Sequence, residues 1–238
     1  LEAFAAGLRG TALWPGDAGY AEACRIWNAM IERRPALVVR PDGPDDVAAC
    51  IAFAQGSGLP LSIRGGGHNI AGTALCDGGV MIDFSTQRGV EVDAASGRVR
   101  VQPGATWADV DRATQPHGLV VPGGIVSATG VAGFTLGGGF GWVSRRYGFA
   151  ADNLLSVEIV TADGRRASAD ENADLFWAIR GGGGNFGIVT SFEFEAKLHG
   201  PEVTAGLVLH PMARAKEILA LFRERTAVAP DGLCHLLI

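Results

Sequence analysis

The chain has 238 residues, of which 47% are hydrophobic, and a formal net charge of −5 with acidic and basic residues interspersed. That is enough apolar content for one large domain or two small ones, and it lacks the basic patch that a phosphate backbone needs, so nucleic acid is not an expected partner. Four scattered cysteines (Cys24, Cys50, Cys76, Cys234) form no CxxC pair, which argues against a disulfide framework or a metal site and for a reducing, cytoplasmic setting. No apolar run reaches the ~18 residues of a membrane span, and no membrane partner is expected. No secretory leader is legible, and the chain opens on Leu1 rather than Met.

Residues 1–32 read as an N-terminal arm, polar and partly helical. Ala36–Arg40 reads as a short buried strand. Pro44 then opens a helix with Asp45 and Asp46 in its first turn, where the dipole favours negative charge, and Gly56 and Gly58 end it. Leu61–Arg64 is the next strand, so a small parallel strand–helix–strand unit is predicted. Val80–Phe84 is a further strand. Val90–Asp93 and Val99–Gln102 flank Ala95-Ser96-Gly97 as a hairpin. Thr106 caps a helix running through Gln115. Leu155–Thr161 and Arg165–Ser168 form a second hairpin around Ala162-Asp163-Gly164. Asp174–Arg180 reads as a short helix and Phe186–Lys197 as a long strand. Beyond residue 200, Val203–His210 and Leu233–Ile238 read as strands around a helix at Ala213–Arg225. The expectation is a second domain that starts near residue 200 and is cut within 201–238.

Glycine is the compositional outlier, at 35 residues. The glycines cluster at 65–67, 123–124, 137–141 and 181–184, between apolar strands rather than in a linker, so they mark turns where backbone approaches something closely. Arg64-Gly65-Gly66-Gly67-His68-Asn69 follows a strand directly. Successive glycine N–H groups there can form an anion nest suited to a pyrophosphate. The loop has neither the Gly-Lys-Ser/Thr of a Walker loop nor a G-x-G-x-x-G pattern. His68, next to the nest, is a candidate functional residue. The segment 123–141 holds eight glycines, with Thr129 and Thr135 as candidate hydroxyl donors and Ser127 a weaker one. Asn153, just before a strand, reads first as a turn former. Trp107, Trp142 and Trp177 read as packing residues, His117 as an exposed turn residue, and Arg145 and Arg146 as a solvated face. His199 and His210 have no legible partner.

Four motifs in order carry a resemblance: Ile63-Arg64-Gly65-Gly66-Gly67-His68-Asn69, then Thr129 through Trp142, then Tyr147 through Leu155, then Gly182-Gly183-Gly184-Asn185-Phe186-Gly187-Ile188-Val189. Arg33–Lys197 thereby resembles the FAD-binding domain of vanillyl-alcohol-oxidase-type flavoproteins, and within them the berberine-bridge-enzyme-like oxidases. The resemblance implies an α+β fold of the PCMH type. FAD would lie between two α/β lobes, roughly 33–104 and 105–200, in a domain spanning 33–200, with 201–238 as the start of an α+β substrate domain. It implies cofactor contacts from Arg64, Gly65, Gly66, Gly67, His68, Asn69 and Gly72. The second loop would contribute Thr129, Gly130, Gly133, Thr135, Gly137, Gly138, Gly139 and Gly141. Asn153, Gly187 and Val189 would complete the site. His68 corresponds to the histidine joined to the 8α-methyl carbon of the flavin, a bond that holds the cofactor and raises its potential. Some members add a second bond from a cysteine, and Ala151 occupies that position here, so one covalent bond at most is implied. The implied reaction is hydride transfer from a small alcohol, amine or sugar-like substrate to flavin N5, with molecular oxygen reoxidising the flavin to give hydrogen peroxide. The rivals are a dehydrogenase or reductase using another acceptor, and a flavin-binding fragment without turnover. The resemblance implies that the catalytic base comes from the substrate domain and the segment after it, beyond residue 238, and it is not assigned.

Overall fold

In the computed structural model the described residues are 1–168 and 172–237. The chain begins with α1 (Glu2–Ala5), β1 (Thr11–Leu13), α2 (Tyr20–Ala23), β2 (Leu37–Arg40), α3 (Pro44–Ser57), β3 (Leu61–Arg64) and β4 (Val80–Asp83). These build a four-stranded sheet in the order β1-β2-β4-β3. β2 and β3 both run parallel to the central β4, as the strand–helix–strand pattern predicts. Helix α3 starts on Pro44, carries Asp45 and Asp46 in its first turn and closes on Gly58 in the left-handed conformation at φ 65°. Gly56 lies inside that helix rather than ending it. β4 is buried at all four positions, which explains its unalternating apolar run. One face packs on α3 through Leu37, Val39, Val47, Cys50, Val80 and Ile82. The other packs Tyr20, Ala23, Ile26, Val38, Leu75 and Met81.

The second sheet contains β5 (Val90–Asp93), β6 (Arg98–Val101), β8 (Leu154–Val160), β9 (Arg166–Ser168) and β10 (Ile188–Glu195). It is antiparallel throughout, in the order β5-β6-β10-β8-β9. Both predicted hairpins are present, as β5–β6 and β8–β9. The first hairpin, expected in the lobe ending at 104, belongs instead to the second sheet, where Val101 stands opposite Phe192. Around this sheet lie α4 (Trp107–Thr114), α5 (Val131–Leu136), α6 (Ser144–Tyr147) and α7 (Ala173–Ile179). A small pair joins β7 (Leu119–Val120) to β11 (Lys197–Leu198). The core centres on Trp107, Phe192 and Phe194, all fully buried. Burying each Phe there contributes ~1.5–3 kcal/mol. The Trp107 ring meets Phe134 edge-on at 5.2 Å. Trp142 and Trp177, read as packing residues, are 52% and 76% exposed. Trp142 lies in a turn and Trp177 on the short helix α7.

Helix α8 (Ala215–Val228) follows, close to its predicted span. The predicted strands at 203–210 and 233–237 are irregular instead; residue 238 lies outside the described residues. A strand needs a neighbour to complete its hydrogen-bond ladder, and no described strand reaches these segments. Conversely, the N-terminal arm contains a strand that its sequence does not mark: β1 pairs antiparallel with β2 from Thr11–Arg40 to Leu13–Val38. Among the described residues no helix is long and apolar enough to cross a membrane.

Candidate functional site

β3 delivers the chain at Arg64 into the loop 65–69, and α5 begins just after Thr129-Gly130. The two loops meet backbone to backbone. A Cβ on Gly66 would stand 2.4 Å from the Gly130 Cα, and one on Gly130 would stand 2.5 Å from the Gly66 Cα. The approach is held from the Gly130 side by α4. The N–H of Trp107 donates to the Thr129 carbonyl at 3.0 Å, and the N–H of Val131 donates to the Ala105 carbonyl at 2.9 Å. α4 itself starts on a reciprocal capping box between Thr106 and Asp109. Burial alone would raise the Asp109 carboxyl, but the Thr106 N–H and hydroxyl and the Arg88 guanidinium outweigh it and hold the group below the usual carboxylate range.

Around this junction lies a cavity of about 810 Å³, within the ~300–1,000 Å³ typical of ligand clefts. Its wall brings together Gly65, Gly66, Gly67, His68 and Asn69 from the first loop, Thr129, Gly130, Gly133 and Gly137 from the second, and Gly187 and Val189 from the start of β10. Gly183 and Gly184 reach it from a turn tied to the end of α5, where the N–H groups of Gly181 and Gly183 both donate to the Leu136 carbonyl, at 3.0 and 2.9 Å. Among the described residues, the amides of Gly65, Gly66, His68 and Asn69 donate to no backbone carbonyl or side chain outside regular secondary structure. A glycine-rich loop whose amides are not spent on other backbone groups fits a phosphate-bearing cofactor. A second cavity, of about 550 Å³, shares only Phe84 with the first and touches none of the glycine clusters.

Other sequence candidates sit off the cavity wall. Arg64 turns away: its Nη1 donates to the Ala23 carbonyl at 2.8 Å and lies 3.8 Å from the buried Asp83 carboxylate. Gly72, at φ 74°, packs on Ile31. Gly138 and Gly139 have positive φ and accept bonds from Ala151 and Ala150, so they shape the second loop from behind. At Gly141 a Cβ would fall 1.8 Å from the Gly123 carbonyl oxygen. The Thr135 hydroxyl is buried without a partner and does not line the cavity. Asn153 is 3% exposed, and its Nδ2 donates to the carbonyls of Tyr147 and Phe149, both at 2.8 Å. It clamps the 147–153 turn, the turn-forming role its sequence position suggests. Ala151 is buried and offers no nucleophile. Arg145, expected to be solvated, donates to the carbonyls of Thr226 and Ala229 at the end of α8. His199 has a partner after all in the Tyr147 hydroxyl, 3.3 Å from its Nδ1.

The wall also includes Phe84 and Ile70, which lie in none of the four motifs. Phe84 follows a buried strand and carries no local signal. Ala132, Gly183, Gly184 and Asn185 also line it and lie within the second and fourth motifs.

The family profile described as an FAD binding domain matches residues 35–170. The (R)-6-hydroxynicotine oxidase of Paenarthrobacter nicotinovorans is 36% identical over 190 residues, covering 79% of this chain and 42% of that protein. Among solved structures, the berberine-bridge-enzyme-like protein 1 of Physcomitrella patens superposes with a TM-score of 0.78 at 30% identity, covering 82% of this chain and 44% of that one. The glucooligosaccharide oxidase of Acremonium strictum, described with a 6-S-cysteinyl, 8α-N1-histidyl FAD, superposes with a TM-score of 0.76 at 30% identity, covering 82% of this chain and 42% of that one. The chain thus spans less than half the length of these relatives. The profile match extends over the loop 65–69 and the segment 129–137 that wall the cavity, and the chain belongs to the family of PCMH-type FAD-binding domains found in berberine-bridge-enzyme-like FAD-linked oxidoreductases.

Proposed function

We propose that this chain is the flavin-holding part of an FAD-dependent oxidase. The observation that carries the reading is the convergence of three glycine-rich segments, far apart in sequence, on one cavity whose wall includes His68. The amides of 65–69 would bind the pyrophosphate, the close packing of Gly66 on Gly130 would exclude water from it, and His68 would hold the flavin by a single bond. When bound, the flavin supplies the two-electron acceptor, and the protein supplies position and electrostatics. The substrate class is a small alcohol, amine or sugar-like molecule, with dioxygen as the second substrate and hydrogen peroxide as its product. Residues 33–200 would form the flavin domain and 201–238 the beginning of the substrate domain. A cytoplasmic setting is supported by the free thiols of Cys24, Cys50, Cys76 and Cys234.

The test is direct. The purified full-length protein is denatured in acid, and flavin absorbance is followed through precipitation. The expected result is yellow polypeptide that loses its colour in His68→Ala. A wild-type protein that takes up no FAD overturns the whole reading; one whose FAD washes away in acid overturns the bond alone. Peroxide formed under air during turnover of an alcohol, amine or sugar panel checks the oxidase assignment, and its absence with an artificial acceptor still reduced points to a dehydrogenase.

A further inference from the structure

Residues 22–34 of the N-terminal arm lie against the loop and turn at 64–78 along their whole length. The side-chain bonds between them join residues 39 to 43 apart in sequence, from Arg64 on the Ala23 carbonyl to Arg34 on Asp77. Asn28 Nδ2 donates to the Ile70 carbonyl at 2.8 Å, and Arg33 Nη1 donates to the carbonyls of Gly72 and Leu75 at 3.1 Å. Ile31 fills the space beneath Gly72. At the centre of this strap the Trp27 N–H donates to the Gly67 carbonyl at 2.9 Å. The Trp27 indole then lies over the His68 imidazole, with ring centroids 6.0 Å apart and planes inclined by 23°. Its neighbour Ile26 is buried, yet the Trp27 side chain is 65% exposed and does not line the cavity. The backbone bond to Gly67 thus holds a largely exposed indole against the imidazole of the next residue in the loop.

We infer that Trp27 is a positioning residue for His68: its indole face fixes the plane of the imidazole and so sets how fast the ring nitrogen bonds to the flavin. The inference rests on the reading of His68 as the covalent anchor. In that bond an imidazole N–H and one C–H of the 8α-methyl are replaced by a C–N bond. The two electrons and two protons released pass to dioxygen, which becomes hydrogen peroxide. His68 has two side-chain torsions to settle among their rotamers, and an offset-stacked partner restricts the choice.

The experiment uses full-length protein produced with limiting flavin, mixed with FAD in air, and sampled for colour that survives acid precipitation. Trp27→Phe keeps a ring and is expected to bond at close to the wild-type rate. Trp27→Leu keeps apolar bulk without a ring and is expected to bond about three- to tenfold more slowly, with unchanged Tm and unchanged reversible FAD uptake. Equal rates for wild type and Trp27→Leu overturn the inference while leaving the His68 anchor standing. A wild type that binds FAD and never bonds removes the anchor, and the inference with it. An independent arm needs no flavin: in the apo-protein the His68 ring C–H resonances, identified by their loss in His68→Gln, are expected to move in Trp27→Leu as the indole ring current disappears. Resonances that stay in place overturn the stack itself.

Discussion

At Gly66 and Gly130 the two lobes touch through backbone alone, so the tolerance for a side chain can be read from distances. An alanine methyl at position 66 meets the Gly130 Cα at 2.4 Å and its nitrogen at 2.6 Å, well inside contact distance. Backbone cannot rotate out of the way as a side chain does, so the loops must part. Gly66→Ala is expected to cost at least the ~1–3 kcal/mol of an overpacked core and to weaken FAD retention together with stability. Calorimetry and FAD titration of the same preparation check both, and a variant with wild-type Tm and affinity contradicts the close approach. Gly133 is the control, because a Cβ there meets nothing within 4 Å; Gly133→Ala is expected to leave Tm unchanged or slightly raised, as alanine favours helix. Asn153 makes the complementary case, a polar side chain enclosed by the turn it holds. Asn153→Ala leaves two carbonyls without their donor and is expected to destabilise by ~1–3 kcal/mol, seen as a lower denaturation midpoint.

At the scale of elements, Asp46 ties the arm to α3. Its carboxylate accepts the N–H groups of Arg9, Gly10 and Asp42 at 3.0, 2.7 and 2.8 Å. Burial alone would raise this carboxyl, but those three N–H donors outweigh it and hold it below the ordinary range. A depressed folded value means the unfolded chain binds the proton more readily. The stabilisation is therefore full above about pH 4, the unfolded value, and is lost as pH falls through the lower folded one. Asp46→Asn is expected to cost ~1–3 kcal/mol at pH 7. Urea titrations of both proteins should show that gap closing below about pH 4, and a gap independent of pH would break the assignment. Such ties explain what the sequence hides. Helix α3 is legible because Pro44, two acids and Gly58 punctuate it locally. β1 is three residues long and exists only because β2 offers an edge. Val203–His210 has a strand's composition and finds no edge. The same divide runs through the site: the glycine clusters mark the loops, but which glycines face the cavity depends on partners far away. Gly141 is glycine for the sake of the Gly123 carbonyl, and Phe84 reaches the wall from a strand end that no motif marks.

At the scale of the whole molecule, the two sheets are joined by β10. Its first residue, Ile188, is buried with Leu37, Val47, Cys50 and Ile82 in the core of the first sheet. Further along, Phe192 and Phe194 pack with Trp107 in the core of the second. Val160, at the end of β8, crosses to the first core in the same way. Ile188 and Val189 also line the cavity, so one strand belongs to both cores and to the cavity wall. The two sheets should then unfold as one cooperative unit, and a ligand in the cavity should stabilise both by mass action. Ile188→Ala is expected to cost ~2–5 kcal/mol, the range for a buried aliphatic truncation. Two probes report the cores separately. Burial, with the Asp46 charge adding to it, pushes the Cys50 thiol up to about 12, so it reacts with a thiol reagent only when the first core opens. The indole N–H of Trp107 exchanges with solvent only when the second opens. In Ile188→Ala both probes should shift to the same lower denaturant concentration, and FAD should raise both by the same amount. If Cys50 becomes reactive while Trp107 stays protected, the sheets are independent units, β10 is not the element that joins them, and the cavity between the glycine loops must be closed by the ligand rather than by the fold.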